Sequence, residues 1–569
     1  MTSGCTSWFA SLPPRGWAGS CKYLLAVLLF ASEPDAAQVE AEHGMVVTSH
    51  RLASEVGVDV LRSGGNAIDA AVAAGYALAV VDPCCGNIGG GGFMTIHFRD
   101  GRDTFINFRE TAPAAASASM YLDASGKPVD DLSRYGYRAA GVPGTVMGLD
   151  RAASEYGRLP RAALLAPAIA LARGGFVLTG ADTELLDSKA SRLAQDPGAA
   201  KIFLRPDGHP FEPGDRLVQT DLAATLELIA AQGADGFYKS PAAAAVEKAS
   251  GENGGVLTAR DFADYSVTET PPLTCSYRGY RIVSAPPPSS GGATICEILN
   301  ILADYDVAAL GFHSAASVRL LTEAMRAAFR DRNAYLGDPA FVANPVDRLL
   351  SKDYAASIRS EIDRQREPNT GAQPAEKLET THYSVVDGEG NAVSVTYTLN
   401  GNFGAAVVAP GTGFLLNNEM DDFAVKPGSP NLYGLVQGEP NAIAPGKRPL
   451  SSMAPTLVEK EGRVLFVLGS PGGPRIITAV LETIINLVDY RMSPQQAVDA
   501  PRLHHQGQPE AVYFERAGLS PEVVERLTAM GYRLAEQRPW GAVELIAITG
   551  GRFFGVSDSR RPAGAAIGY

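Results

Sequence analysis

The sequence predicts a mixed helix-and-strand (α/β, α+β) fold, and three stretches carry that prediction. Residues 67–81 (AIDAAVAAGYALAVV) are apolar on nearly every side, which predicts a helix buried all round. Residues 382–387 (HYSVVD) and 391–400 (NAVSVTYTLN) are β-branched and alternating, on either side of Gly388, Glu389 and Gly390. That pattern predicts two strands joined as a hairpin. Residues 464–468 (VLFVL) predict a buried strand that runs into Gly469, Ser470, Pro471, Gly472 and Gly473. A helix follows over 475–490, where Ile476, Ile477, Val480, Leu481, Ile484 and Leu487 are apolar at helical spacing.

The remaining elements follow from the same periodicities. Leu52, Val56, Val60 and Leu61 predict an amphipathic helix over 51–64, stopped by Gly64 and Gly65. The glycine-rich run Gly86 to Phe93 precedes strands at 93–98 and 104–109. Helices are expected at 160–173, 221–232 and 315–335, and a loop at Pro286 to Gly292. Residues 364–378 are polar without periodicity and read as a linker.

Composition narrows the class. The chain has 569 residues, 46% of them AVILMFWYC and 20% charged, which excludes a disordered chain. A net charge of −13 argues against nucleic acid as the main partner, since phosphate binding needs a basic face. At roughly 100–200 residues per domain the length corresponds to three or four domains. Arg15 and Lys22 precede the apolar run Tyr23 to Ala31, the pattern of an export leader, placed at 1–37. Apart from Cys5 and Cys21 in that leader, Cys84, Cys85, Cys275 and Cys296 are too few for a disulfide framework and read as buried small residues. The adjacent Cys84 and Cys85 are not expected to bridge each other. The eight His residues are scattered without a metal-binding spacing, so no metal and no cofactor is implied.

Two local features bear on chemistry. If Asp387 pairs with Asn391, the hairpin register places Thr380 opposite Thr398, two hydroxyls about 5 Å apart at Cβ. An ordinary cross-strand threonine pair is the plain alternative. Gly472 and Gly473 sit before a helix N-terminus, where free backbone N–H groups favour developing negative charge. A simple strand-to-helix turn is the alternative there. The glycines at 86–92 lack G-x-G-x-x-G and lie between helix and strand, the wrong order for a dinucleotide fold. No phosphate-binding G-x-x-x-x-G-K-[ST] and no G-x-S-x-G elbow occurs.

Thr380 to Asp387 (TTHYSVVD) and Thr396 to Asn400 (TYTLN) resemble the start of the small subunit of γ-glutamyltranspeptidases. Further blocks resemble that family in the same order: Gly89 to Met94, Phe108-Arg109-Glu110, Pro288 to Gly292, Asn417 to Phe423, Arg448 to Met453, and Ser470 to Gly473. The resemblance runs from about residue 45 to Tyr569. It implies a four-layer αββα sandwich of the N-terminal-nucleophile hydrolase type, made as one precursor that cuts itself between Glu379 and Thr380. The three or four domains then become one, with a large subunit of 38–379 and a small subunit of 380–569.

The resemblance also implies roles. Thr380 is the nucleophile, Thr398 orients it, and the N–H groups of Gly472 and Gly473 hold the oxyanion. Arg109, with Ser451 and Ser452, binds the α-carboxylate of a γ-glutamyl donor, glutathione being the substrate implied. Asn400, Glu419 and Asp422 take its ammonium. Without the resemblance, Arg109 reads rather as a surface ion pair, and Asp421 and Asp422 as a solvated turn. Residues 427–438 match a lid loop, with Tyr433 at its gate. Acceptors are water or the amines of amino acids and peptides, and the location implied by the leader is the periplasm or outside. Residues 538–546 (RPWGAVELI) depart from the family pattern. Two other readings are kept: a glutaryl-cephalosporin-type acylase of the same fold, and a non-catalytic exported glutamate-binding protein.

Overall fold

The computed structural model describes residues 38–129, 131–364 and 380–569. The proposed leader, the linker from residue 365 onward and Glu379 therefore lie outside the described residues.

Two seven-stranded sheets form the centre. One runs in the order Ala565–Gly568, Gly44–Thr48, Thr381–Asp387, Ala392–Thr398, Gly91–His97, Asp103–Phe108, Thr268–Thr270. The other runs Val39–Ala41, Arg552–Ser557, Glu544–Thr549, Arg463–Leu468, Thr456–Lys460, Tyr280–Ser284, Leu273–Tyr277. Neighbouring strands in both are antiparallel.

Strand alternation decides what each face meets. Met45, Val47 and Val386 of the first sheet pack on Val283, Leu457, Val467 and Ile546 of the second. Val46, Tyr383, Val385 and Tyr397 point the other way, onto the helices Arg51–Arg62 and Ala67–Val81. The outer face of the second sheet, with Ile282, Val458 and Leu545, is covered by Gly291–Leu302, Ala315–Tyr335 and Arg475–Val488. Helix, sheet, sheet, helix is the four-layer αββα sandwich, and one compact unit contains every described residue.

The sequence periodicities survive folding. Ala67–Val81 is buried at every position, and Asn66 and Asp69 close a capping box at its start. The strand expected at 93–98 begins earlier, at Gly91 inside the glycine run. A Cβ on Gly92 would lie 2.4 Å from the Thr396 carbonyl oxygen, and one on Gly90 would lie 2.0 Å from that of Thr398. These glycines are there for close backbone approach.

The cysteine expectation is overturned. Cys275 and Cys296 form a disulfide with an S–S distance of 2.00 Å. Twenty-one positions separate them, a spacing that signals nothing. The chain nevertheless folds back from the edge strand Leu273–Tyr277 into the helix Gly291–Leu302 and brings their Cα atoms to 5.9 Å. Cys84 and Cys85 are also bridged, against the expectation for adjacent residues.

Candidate active site

The hairpin register is the one that closure of Asp387 on Asn391 implies, the Asp387 N–H donating to the Asn391 carbonyl at 3.1 Å. Thr381 pairs with Tyr397, Ser384 with Ser394 and Val386 with Ala392. Thr380 stands one residue before its strand, 2% exposed, and Thr398 Oγ1 donates to Thr380 Oγ1 at 3.5 Å. The Asn400 N–H donates to Thr398 Oγ1 at 2.8 Å, so the Thr398 hydrogen is left to point at Thr380.

Alternation sends the next residues to opposite faces. Thr381 Oγ1 donates to Asp82 Oδ2 at 2.8 Å, and Ser49 Oγ donates to the same oxygen at 2.7 Å. Arg561 Nη2 holds the other oxygen of Asp82 at 2.7 Å and reaches Cys84 Sγ at 3.3 Å. The residue after Thr380 is thus anchored into the helical layer. His382 faces between the sheets, with Nδ1 2.8 Å from Thr396 Oγ1. Burial pulls its pKa down to about 3, so the imidazole stays neutral there.

One cavity gathers Arg109, Thr380, Thr398, Asn400, Asp422, Tyr433, Ser451, Ser452 and Gly473, residues drawn from both sides of residue 379. Gly472 and Gly473 have φ of 129° and 57°, backbone that favours glycine. Among the described residues neither N–H finds an acceptor, while their carbonyls accept from Arg475 and Ile476. Residues 538–546 have a place here: Trp540 stacks on the Arg475 guanidinium at 4.6 Å, and the Ala542 N–H donates to Ser470 Oγ at 3.2 Å. That segment backs the glycine turn.

The far end of the cavity is charged. Arg109 is fully buried, with Nη1 2.9 Å from Glu419 and 3.5 Å from Glu110, and with Nη2 paired to Asp422. Its Nε donates to the Pro449 carbonyl at 3.2 Å. Arg109 is therefore no surface ion pair. Burial drives the Glu419 pKa well up, although Arg109 opposes it, and drives Glu110 to about 8. Asp421 and Asp422 are no solvated turn either. Asp421 is buried, accepting from Ser133 Oγ at 2.6 Å and from the Leu432 N–H at 2.7 Å, so it ties down the loop carrying Tyr433. Asp422 alone of the two faces the cavity.

Tyr433 roofs the site. Its hydroxyl donates to Asn400 Oδ1 at 2.6 Å, and its ring lies against Gly473. Ser451 and Ser452 are held by the Pro286–Gly292 loop: the Ser451 N–H donates to the Pro288 carbonyl at 2.8 Å, and Ser289 Oγ donates to the Met453 carbonyl at 2.5 Å. Sequence reasoning missed Arg332, which donates to Ser452 Oγ at 3.1 Å. The signal was available, because Arg332 shares the i, i+3, i+4, i+7 face of Met325, Ala328 and Phe329, a charge on a core stripe.

Away from the cavity, His97 contacts Asp103 at 2.8 Å and Glu459 at 3.2 Å, and Arg281 Nη1 reaches both carboxylates at 2.6 Å. This is a closed ion-pair network. Among the described residues no helix is long and apolar enough to cross a membrane.

A family model described as gamma-glutamyltranspeptidase matches residues 53–568. A glutathione hydrolase proenzyme of Pseudomonas sp. strain A14 is 53% identical over 94% of this chain and 95% of that protein. An acylase ACY 1 proenzyme of Pseudomonas sp. strain SE83 is 44% identical, covering 89% of each. Among solved structures, a cephalosporin acylase from Bacillus halodurans superposes with a TM-score of 0.83 at 27% identity, over 98% of this chain and 99% of that one. The chain belongs to the gamma-glutamyltranspeptidase family.

Proposed function

We infer that this chain is a self-processing γ-glutamyltransferase and glutathione hydrolase in which Thr380 is the nucleophile. The observation that carries the reading is the convergence on one cavity of Thr380, its partner Thr398, a glycine turn whose N–H groups meet no acceptor among the described residues, and a buried Arg109 flanked by carboxylates. In the precursor, the Thr380 hydroxyl attacks the Glu379 carbonyl and the resulting ester is hydrolysed. Cleavage frees an α-amine at Thr380, with an ordinary pKa of about 7.7–8.0, that serves as the base for its own hydroxyl. The same oxygen then attacks the γ-amide of a glutamyl donor. The N–H groups of Gly472 and Gly473 hold the oxyanion, and water or an amine acceptor takes the γ-glutamyl group from Thr380.

The charged end is built for a zwitterion. Arg109 now pairs with Glu419 and Asp422. A donor's α-carboxylate replaces those acids on Arg109, assisted by Ser451 and Ser452, while its ammonium goes to Glu419, Asp422 and Asn400. The internal pairing of Arg109 with its flanking acids is exchanged for pairing of both partners with the donor's opposite charges. Its charges are already desolvated, so much of the cost of burial falls in folding rather than binding. Glu379 and Thr380 bound the two subunits, 38–379 and 380–569, which remain interleaved as a heterodimer: strands from both lie side by side in each sheet. The Cys275–Cys296 bridge supports export, because disulfides persist in oxidising compartments.

The acylase reading is favoured by the 44% identical relative. It leaves the buried acids without a cation, since a glutaryl group has no α-amine. Denaturing electrophoresis with N-terminal sequencing of the smaller band tests processing, with Thr380 expected as its first residue. Thr380→Ala is expected to give one uncut band, at most the 59.7 kDa of the full chain and smaller where the leader is removed. A fragment beginning elsewhere, or cleavage persisting in Thr380→Ala, refutes the nucleophile assignment. Faster turnover of a glutaryl anilide than of a γ-glutamyl anilide favours the acylase instead.

A further inference from the structure

A second guanidinium is buried behind the serine end of the cavity. Arg332 is 1% exposed. Its Nε donates to Ser290 Oγ at 2.9 Å and its Nη1 to Asn333 Oδ1 at 2.8 Å and Gln437 Oε1 at 3.2 Å. Its Nη2 donates to Ser452 Oγ at 3.1 Å. All four partners are neutral. The acid whose field reaches it is Asp422, which is itself engaged by Arg109. A buried cation with no carboxylate of its own is costly, and natural cores rarely hold one without a use. Burial lowers its pKa to about 10, which still leaves it charged at neutral pH.

A hydroxyl has one hydrogen and two lone pairs. Ser452 Oγ spends a lone pair on Arg332, and Ser451 Oγ spends one on the Met453 N–H at 3.1 Å. Among the described residues neither hydroxyl donates to a protein acceptor, and both line the cavity beside Arg109. One lone pair of each is taken, and among the described residues the hydrogen of each is left for the cavity.

We propose that Arg332 is a positioning residue for the donor's α-carboxylate: by donating to Ser452 Oγ it fills one acceptor site and turns that hydroxyl's hydrogen toward the cavity. Its bond to Gln437 Oε1 makes the same guanidinium a tie to the loop that carries Tyr433, so carboxylate recognition and the roof share one anchor. The inference rests on the reading of this cavity as a γ-glutamyl site.

The test uses processed, full-length enzyme and two donors, γ-glutamyl-p-nitroanilide and its α-carboxamide counterpart. Hydrogen bonds to charged groups set the scale: R332M is expected to raise KM for the carboxylate donor about 10- to 100-fold, with kcat changed less. The carboxamide donor is expected to change by less than about threefold, because it presents no carboxylate to recognise. R332K, which keeps a charged donor, is expected to recover part of the loss. Equal losses for both donors mean a merely structural role and overturn the proposal. If R332M remains unprocessed, R332K is measured in the native and S452A backgrounds. A several-fold cost that vanishes in S452A supports action through Ser452, and the same cost in both backgrounds overturns it. S452A alone separates the two levels. If it does not discriminate between the donors, the carboxylate reading of the cavity falls. If it discriminates and the Arg332 variants do not, only the Arg332 inference falls.

Discussion

Gly473→Ala perturbs the point where the proposed oxyanion turn meets the roof of the site. A Cβ at Gly473 would lie 2.3 Å from Tyr433 Cε1 and 2.5 Å from Cδ1, where ordinary carbon contacts need about 3.5 Å. The ring must therefore retreat by about 1 Å. Its hydroxyl is 2.6 Å from Asn400 Oδ1, so a retreat of that size takes the bond beyond hydrogen-bond range. Two costs follow. Alanine at a φ of 57° costs about 1–2 kcal/mol, and overpacking against the ring about 1–3 kcal/mol, together about 2–5 kcal/mol. Urea denaturation of processed wild type, G473A, Y433A and the double variant resolves them. In the Y433A background the packing share disappears and only the backbone share of about 1–2 kcal/mol persists. A G473A cost that is the same with and without Tyr433 refutes the reasoning, since the ring would then not be what the new methyl meets.

Thr398→Val keeps the shape of the side chain but strands the Asn400 N–H and removes the hydroxyl facing Thr380. It is expected to lower γ-glutamyl anilide turnover by about tenfold or more, whereas Thr398→Ser keeps both bonds and stays within about threefold; equal rates for the two variants contradict the orienting role. The His97 network makes stability depend on alkaline pH. Burial lowers the His97 pKa, but hydrogen bonds to Asp103 and Glu459 outweigh it and bring the value to about 9, above the ordinary 6.5. A raised pKa means stabilisation that is complete below about pH 6.5 and lost as pH rises through about 9, worth about 3 kcal/mol at most. Thermal unfolding between those pH values is expected to show a smaller decline for His97→Asn than for wild type, and parallel declines count against the network.

Local pattern determined a good deal here. The all-round apolar stretch became Ala67–Val81, buried throughout, because no face of it tolerates water. The three-residue loop Gly388 to Gly390 set the hairpin register, and with it the meeting of Thr380 and Thr398, because the length of a hairpin loop fixes which residues pair. The glycine turn before Arg475–Val488 was also legible, since a strand running through glycines into a helix leaves N–H groups free.

Tertiary structure decided what depends on distant segments. Pattern alone could not tell Asp421 from Asp422, and only packing against Ser133 and Leu432 turns Asp421 into a loop anchor and leaves Asp422 in the cavity. It could not pair Cys275 with Cys296, whose approach follows from a strand and a helix folding onto each other. Nor could it show that Arg109 is held by the acids that flank it, or that Arg332, one charge on a core stripe, reaches Ser452 across 120 positions of chain. Periodicity reports which side of an element is buried. Which polar groups then share that burial is set by long-range packing, and in this protein the chemistry of the site follows from those groups.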